Sequence, residues 1–119
     1  MPEDFYKKAT EELKAGHLKA AIGYARMLAE MGDIESVRKA ADLAYYVARE
    51  EKEEAGIKRV ALDIADMAAD QRQYAKAKDI AMVLGDNEKV TEYSRRKLEE
   101  MRKPIHATFP VKRKKAANA

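Results

Sequence analysis

Few side chains in this sequence could carry chemistry, and their spacing limits what that chemistry is. His17 and His106 are the two imidazole bases, and neither has a carboxylate at the spacing of an E-x-x-H or H-E-x-x-H site. Cysteine is absent, which removes thiolate nucleophiles, disulfides and cysteine-ligated zinc together. The five glycines are isolated from one another, so no glycine-rich loop cradles a phosphate. Asp63, Asp66 and Asp70 form the best acidic group, because steps of three and four put all three carboxylates on one helical face. A hard divalent cation would need several more oxygens from other elements. The group therefore reads as a solvated face, with Asp70 as a helix cap. Without a base and nucleophile in any recognisable arrangement, the expectation is a non-enzymatic protein with no cofactor and no bound metal.

Two basic groupings remain. Tyr45 and Tyr46 adjoin Arg38, Lys39 and Arg49. Successive helical residues are about 100° apart, so one tyrosine is expected to pack inward and the other to lean outward. An exposed tyrosine among arginines suits a peptide groove or a nucleobase platform. Tyr45, Tyr46 and Arg49, joined by Lys76, are the candidate partner-binding residues. The second grouping is Lys112, Arg113, Lys114 and Lys115, four consecutive cations near the C-terminus. Such a run resembles a nuclear-import signal or a nucleic-acid-binding arm, and it supports an alternative function in nucleic-acid association. Ile105, Phe109 and Val111 stand beside it, and a purely solvating tail has little use for them.

Charge separates these two regions. Of 24 basic residues, six fall in residues 102–119, which hold no acid, leaving 18 bases against 21 acids in residues 1–101. An acidic body with a cationic extension suggests a scaffold bearing an electrostatic appendage. No apolar run approaches the roughly 18 residues that would span a bilayer, and Met1-Pro2-Glu3-Asp4-Phe5 lacks the layout of a signal peptide. The expected setting is intracellular and cytoplasmic, or nuclear in a eukaryote, away from membranes.

The elements that must position these residues are helical. Alanine, leucine, glutamate, lysine and arginine dominate, and proline occurs only at Pro2, Pro104 and Pro110. Apolar spacing predicts six helices. The first two span about 3–15 and 18–31, ended by Gly16 and Gly32 as C-caps. A third starts after Asp33, with a stripe wide enough to be buried on two sides, and is expected to extend through the charged run 50–54. Gly56 is expected to break the chain before a fourth, Asp70 and Gln73 to form a capping box before a fifth, and Gly85 to end that fifth helix. Asp86 then caps a sixth, which Pro104 should stop. Short connections make neighbouring helices antiparallel. Alanines three and four apart should let backbones approach, with Leu43, Ile64 or Met82 filling the gaps and Gly23 marking a close contact.

One pattern recurs: Gly16, Ala21, Ala25, Leu28; then Gly56, Ala61, Ala65, Ala68; then Gly85, Val90, Ser94, Lys97. The glycine intervals of 40 and 29 average about 34, the period of a tetratricopeptide repeat. The stretches from Ala15 to Ala25 and from Leu84 to Tyr93 resemble the second helix of that family's repeat with its preceding turn. The resemblance implies an all-α fold of six antiparallel helices in three stacked hairpins, coiled as a right-handed superhelix over residues 1–102. A basic tail then occupies 103–119. It also implies a protein-interaction scaffold whose groove is lined by the first helix of each pair, binding another protein or a peptide. Lys97, where the family has a small apolar residue, suggests a last helix that is frayed or turned to solvent. An unfinished end of this kind leaves homodimerisation open.

Overall fold

A computed structural model describes residues 2–108, and every regular element in them is an α-helix. The order is α1 (Pro2–Lys14), α2 (Leu18–Ala29), α3 (Ile34–Glu50), α4 (Ala55–Asp70), α5 (Tyr74–Leu84) and α6 (Asn87–Thr108). Residues 109–119, with the Lys112 to Lys115 cluster, Phe109 and Val111, lie outside the described residues.

Backbone chemistry at the turns sets the helix ends. Gly85 takes φ +75, where an added Cβ would be strained, and this lets the Asp86 N–H return to the Ala81 carbonyl at 2.9 Å. Gly16 and Gly32 also have positive φ. At the N-termini, Asp33 accepts from the Ser36 N–H at 3.0 Å and Asp86 accepts from the Lys89 N–H at 3.1 Å, as their positions before apolar stripes predict.

Four expected boundaries are corrected. α3 stops at Glu50, and the acids after it fold the loop instead of extending the helix. Glu51 accepts from the Glu54 N–H at 3.1 Å, and Glu54 caps α4 by accepting from the Ile57 N–H at 2.8 Å. Gly56 lies inside the first turn of α4, where a Cβ would stand 3.1 Å from the Glu54 carboxylate, so it gives that cap room. Asp70 and Gln73 make no capping box: Asp70 is the last residue of α4, and Gln73 precedes α5 with no side-chain cap. The turn is made by Arg72 at φ +66, with the Gln73 N–H on the Ala68 carbonyl at 2.8 Å. Finally, α6 runs through Pro104 to Thr108. Proline gives up one helical hydrogen bond and crowds the carbonyl four residues before it, yet the helical backbone of this 22-residue element continues through it.

The core lies in the alanine seams. Ala21, Ala25, Ala61, Ala65 and Ala68 are all buried, with Leu28, Leu43, Val47, Ile64, Ile80 and Tyr93 packed among them. Small residues bring backbones close enough for each large one to touch several helices. α3 is buried along two stripes, as its sequence predicts, and touches α1, α2, α4 and α5. Two expectations fail here. Met82 points outward and is exposed, and Gly23 sits on the outer surface with nothing within 4 Å of an added Cβ.

Consecutive helices pack on one another throughout, and short turns make them antiparallel. Beyond these pairs, α3 touches α1 and α5, while α2 touches α4, so odd helices form one layer and even helices the other. Side chains also tie the turns of the two layers: Gln71 Nε2 donates to the Gly32 carbonyl at 2.7 Å and Gln73 Nε2 to the Ile34 carbonyl at 3.3 Å.

Candidate functional site

The layer of odd helices presents the candidate face. Along α3 the exposed residues Glu35, Arg38, Asp42, Tyr46 and Arg49 follow one helical stripe, with Lys39 and Tyr45 at its margins. Tyr46 is 52 % exposed while Tyr45 packs partly against the core, and their rings meet edge to face at 5.7 Å. The expected division of the two tyrosines holds. Arg49 lies over the Tyr45 ring, its guanidinium carbon 5.7 Å from the centroid, and has no carboxylate partner among the described residues.

Neighbouring helices complete the surface. Lys76 of α5 reaches across to Asp42 of α3 at 2.6 Å, so the fourth candidate joins the other three from a separate element. On the opposite side, Lys39 sits 5.2 Å from the ring centroid of Tyr6 on α1. Tyr46 walls a cleft of about 460 Å³ with Leu13, Gly16, Leu18 and Glu50. Tyr6, Leu13 and Asp42 were absent from the sequence candidates. Tyr6 and Leu13 are seven residues apart on α1, a same-face spacing that was available in the sequence, whereas only the packing of α3 on α5 reveals Asp42.

Charge on this face is held by local pairs. Glu35 bonds to Arg38, and this contact with the guanidinium draws the Glu35 carboxyl below its ordinary value and raises Arg38. The Asp33 carboxyl is also drawn down, by the Ser36 N–H at the head of α3.

The acid stripe of α4 is a seam between helices. It makes no cap, and only Asp70 is solvated as expected, while Asp63 and Asp66 are half-buried. Asp63 pairs with Arg26 of α2 at 3.0 Å, and Asp70 pairs with Arg96 of α6 at 3.0 Å. Asp66 takes Lys89 Nζ at 3.2 Å and the Tyr93 hydroxyl at 2.5 Å, both from α6. Each carboxylate is thus committed to a base from another helix, and among the described residues no cluster of histidine and acid is arranged for a metal. Burial and the neighbouring Asp66 push the Tyr93 phenol well above its ordinary value. Burial opposes the charge on Lys89, but its pairs with Asp66 and Glu92 win and raise it.

The remaining candidates stand apart. His17 is exposed at the α1–α2 turn, with Nδ1 2.7 Å from Glu12 Oε1, and His106 falls in the last turns of α6. No helix of the described residues is long and apolar enough to cross a membrane. Compared with models of protein families, with curated proteins and with solved structures, this chain has no match.

Proposed function

We propose that this chain is a non-enzymatic helical-repeat scaffold, of the kind the tetratricopeptide resemblance implies, and that it binds another protein or a peptide through the face of α1, α3 and α5. The observation that carries this reading is the convergence of Tyr45, Tyr46, Arg49 and Lys76 on one surface from two helices, beside an open cleft. Such a face suits an extended segment that lays an apolar side chain beside Tyr46 and a carboxylate against Arg49. A role outside catalysis is supported by what the shifted groups do: Asp33 and Glu54 cap helices, Glu35 and Arg38 pair with each other along α3, and Lys89, Tyr93 and Arg96 hold α6 to α4.

Affinity capture with mass spectrometry tests the reading. The chain is expected to retain partners after nuclease treatment and to lose them when Tyr46 and Arg49 are changed to alanine. An unchanged set of partners in that double variant would refute it.

A further inference from the structure

Even helices grip the even helix before them through residues of one helical face. Counted from Gly85, α6 holds α4 through Lys89, Tyr93 and Arg96, the fourth, eighth and eleventh residues on. Counted from Gly56, α4 meets α2 through Asp63, the seventh. The same four steps from Gly16 give Ala20, Gly23, Tyr24 and Met27 on α2, and among the described residues no even helix packs against them. These four residues line one cleft of about 430 Å³ on the outer surface. Met27 and, one turn on, Met31 are 46 % and 45 % exposed. Gly23 weakens its helix without relieving any contact inside the chain, since a Cβ there would touch nothing within 4 Å.

The interface between even helices therefore continues onto an open face. At these positions α6 is mostly charged and α4 has one aspartate among Val60, Ile64 and Met67, while α2 carries only small and apolar groups and a tyrosine, which call for an apolar partner surface. The exposed side of α6 is a mixed surface, with Leu98, 59 % exposed, set beside the Arg95–Glu99 ion pair at 3.2 Å, and so it suits α2 less well. α2 matches itself. We propose that the outer face of α2 is a homodimer interface, with α2 antiparallel to α2 of a second copy and Met27 of each seated over Gly23 of the other.

Charge favours that direction. Lys19 at the head of α2 and Glu30 just past its end are both exposed, and an antiparallel crossing brings the head of each helix, with its positive dipole end, to the tail of the other. Both have ties within the chain, Lys19 to Glu54 at 3.3 Å and Glu30 to Arg26 at 3.4 Å, and Lys8 lies over the Tyr24 ring beside them. This face is separate from that of α1, α3 and α5, so neither reading depends on the other.

Sedimentation velocity on the full chain over a range of concentrations tests the interface. The wild type is expected to rise from 13.4 kDa toward twice that mass. Gly23→Glu and Met27→Glu should each stay monomeric, with helical circular dichroism retained and no fall in melting temperature at low protein concentration. Lys19→Glu should weaken the dimer about tenfold or more, and adding Glu30→Lys should recover it. The proposal is overturned by a wild type that stays monomeric throughout, by a dimer that survives both glutamate variants, by one lost instead in Leu98→Glu, or by a double charge reversal without recovery.

Discussion

Tyr93 shows how one side chain can hold a whole helix in place. It is fully buried, donates to Asp66 at 2.5 Å and lies under the Lys89 ammonium, so its ring fills space while its hydroxyl fixes direction. Tyr93→Phe removes only the hydroxyl, leaving Asp66 its pair with Lys89, and should cost about 1.5 kcal/mol in urea denaturation. Because the folded state raises the phenol's pKa above its unfolded value of about 10, this contribution is full below that pH. It is lost as pH rises toward the folded value. Alkaline denaturation should therefore begin at lower pH in the wild type than a chain without that phenol would show relative to its own neutral stability. Measuring stability from pH 7 to 11 in both proteins checks this: the gap between them should narrow as pH rises. A constant gap would mean that the hydroxyl is not the titrating group.

Helix ends divide into those the sequence announces and those it conceals. Asp33, Gly85 and Asp86 are legible because residue type and geometry agree: short acceptors before apolar stripes and a glycine where φ is positive. The end of α4 is concealed because Arg72 performs the turn a glycine would make, which leaves Asp70 and Gln73 looking like a capping box. Replacing Arg72 by glycine should raise stability by about 1 kcal/mol, since relief of the left-handed strain outweighs an exposed pair with Glu100. Glycines elsewhere should respond with opposite signs. Gly85→Ala forces a Cβ into φ +75 and should cost about 1 kcal/mol, whereas Gly23→Ala, in open helix, should gain about 0.5–1 kcal/mol. Thermal melts of the three variants at low protein concentration test all three signs. The alanine seams were readable from periodicity, but partners across helices were not. Asp63, Asp66 and Asp70 look like a solvated stripe until α2 and α6 supply Arg26, Lys89 and Arg96. The candidate face was half legible for the same reason, since Tyr45, Tyr46 and Arg49 share one helix while Asp42 gains meaning only from Lys76.

The molecule is unevenly bound together, and this has a consequence for how it opens. α3 and α4 bury apolar stripes along most of their lengths, whereas Tyr93 is the only fully buried side chain described in α6. Apart from its packing on α5, with Val90 partly buried, α6 is joined to the body by ion pairs: Lys89 to Asp66, Arg96 to Asp70, and Glu100 to Arg72 at 3.2 Å. Partly exposed pairs of this kind are each worth about 1 kcal/mol or less and are screened by salt, while apolar burial is not. α6 should accordingly detach as a unit before the body unfolds. In amide hydrogen exchange, α6 is expected to exchange faster than α3, and raising the salt to about 1 M, where the Debye length falls to about 3 Å, should speed α6 further while leaving α3 nearly unchanged. Tyr93→Ala should bring the same release at low salt, with α3 and α4 still protected. Exchange of α3 and α6 at one common rate in all of these conditions would show a single cooperative unit, and the polar seam would then be no weaker than the alanine core.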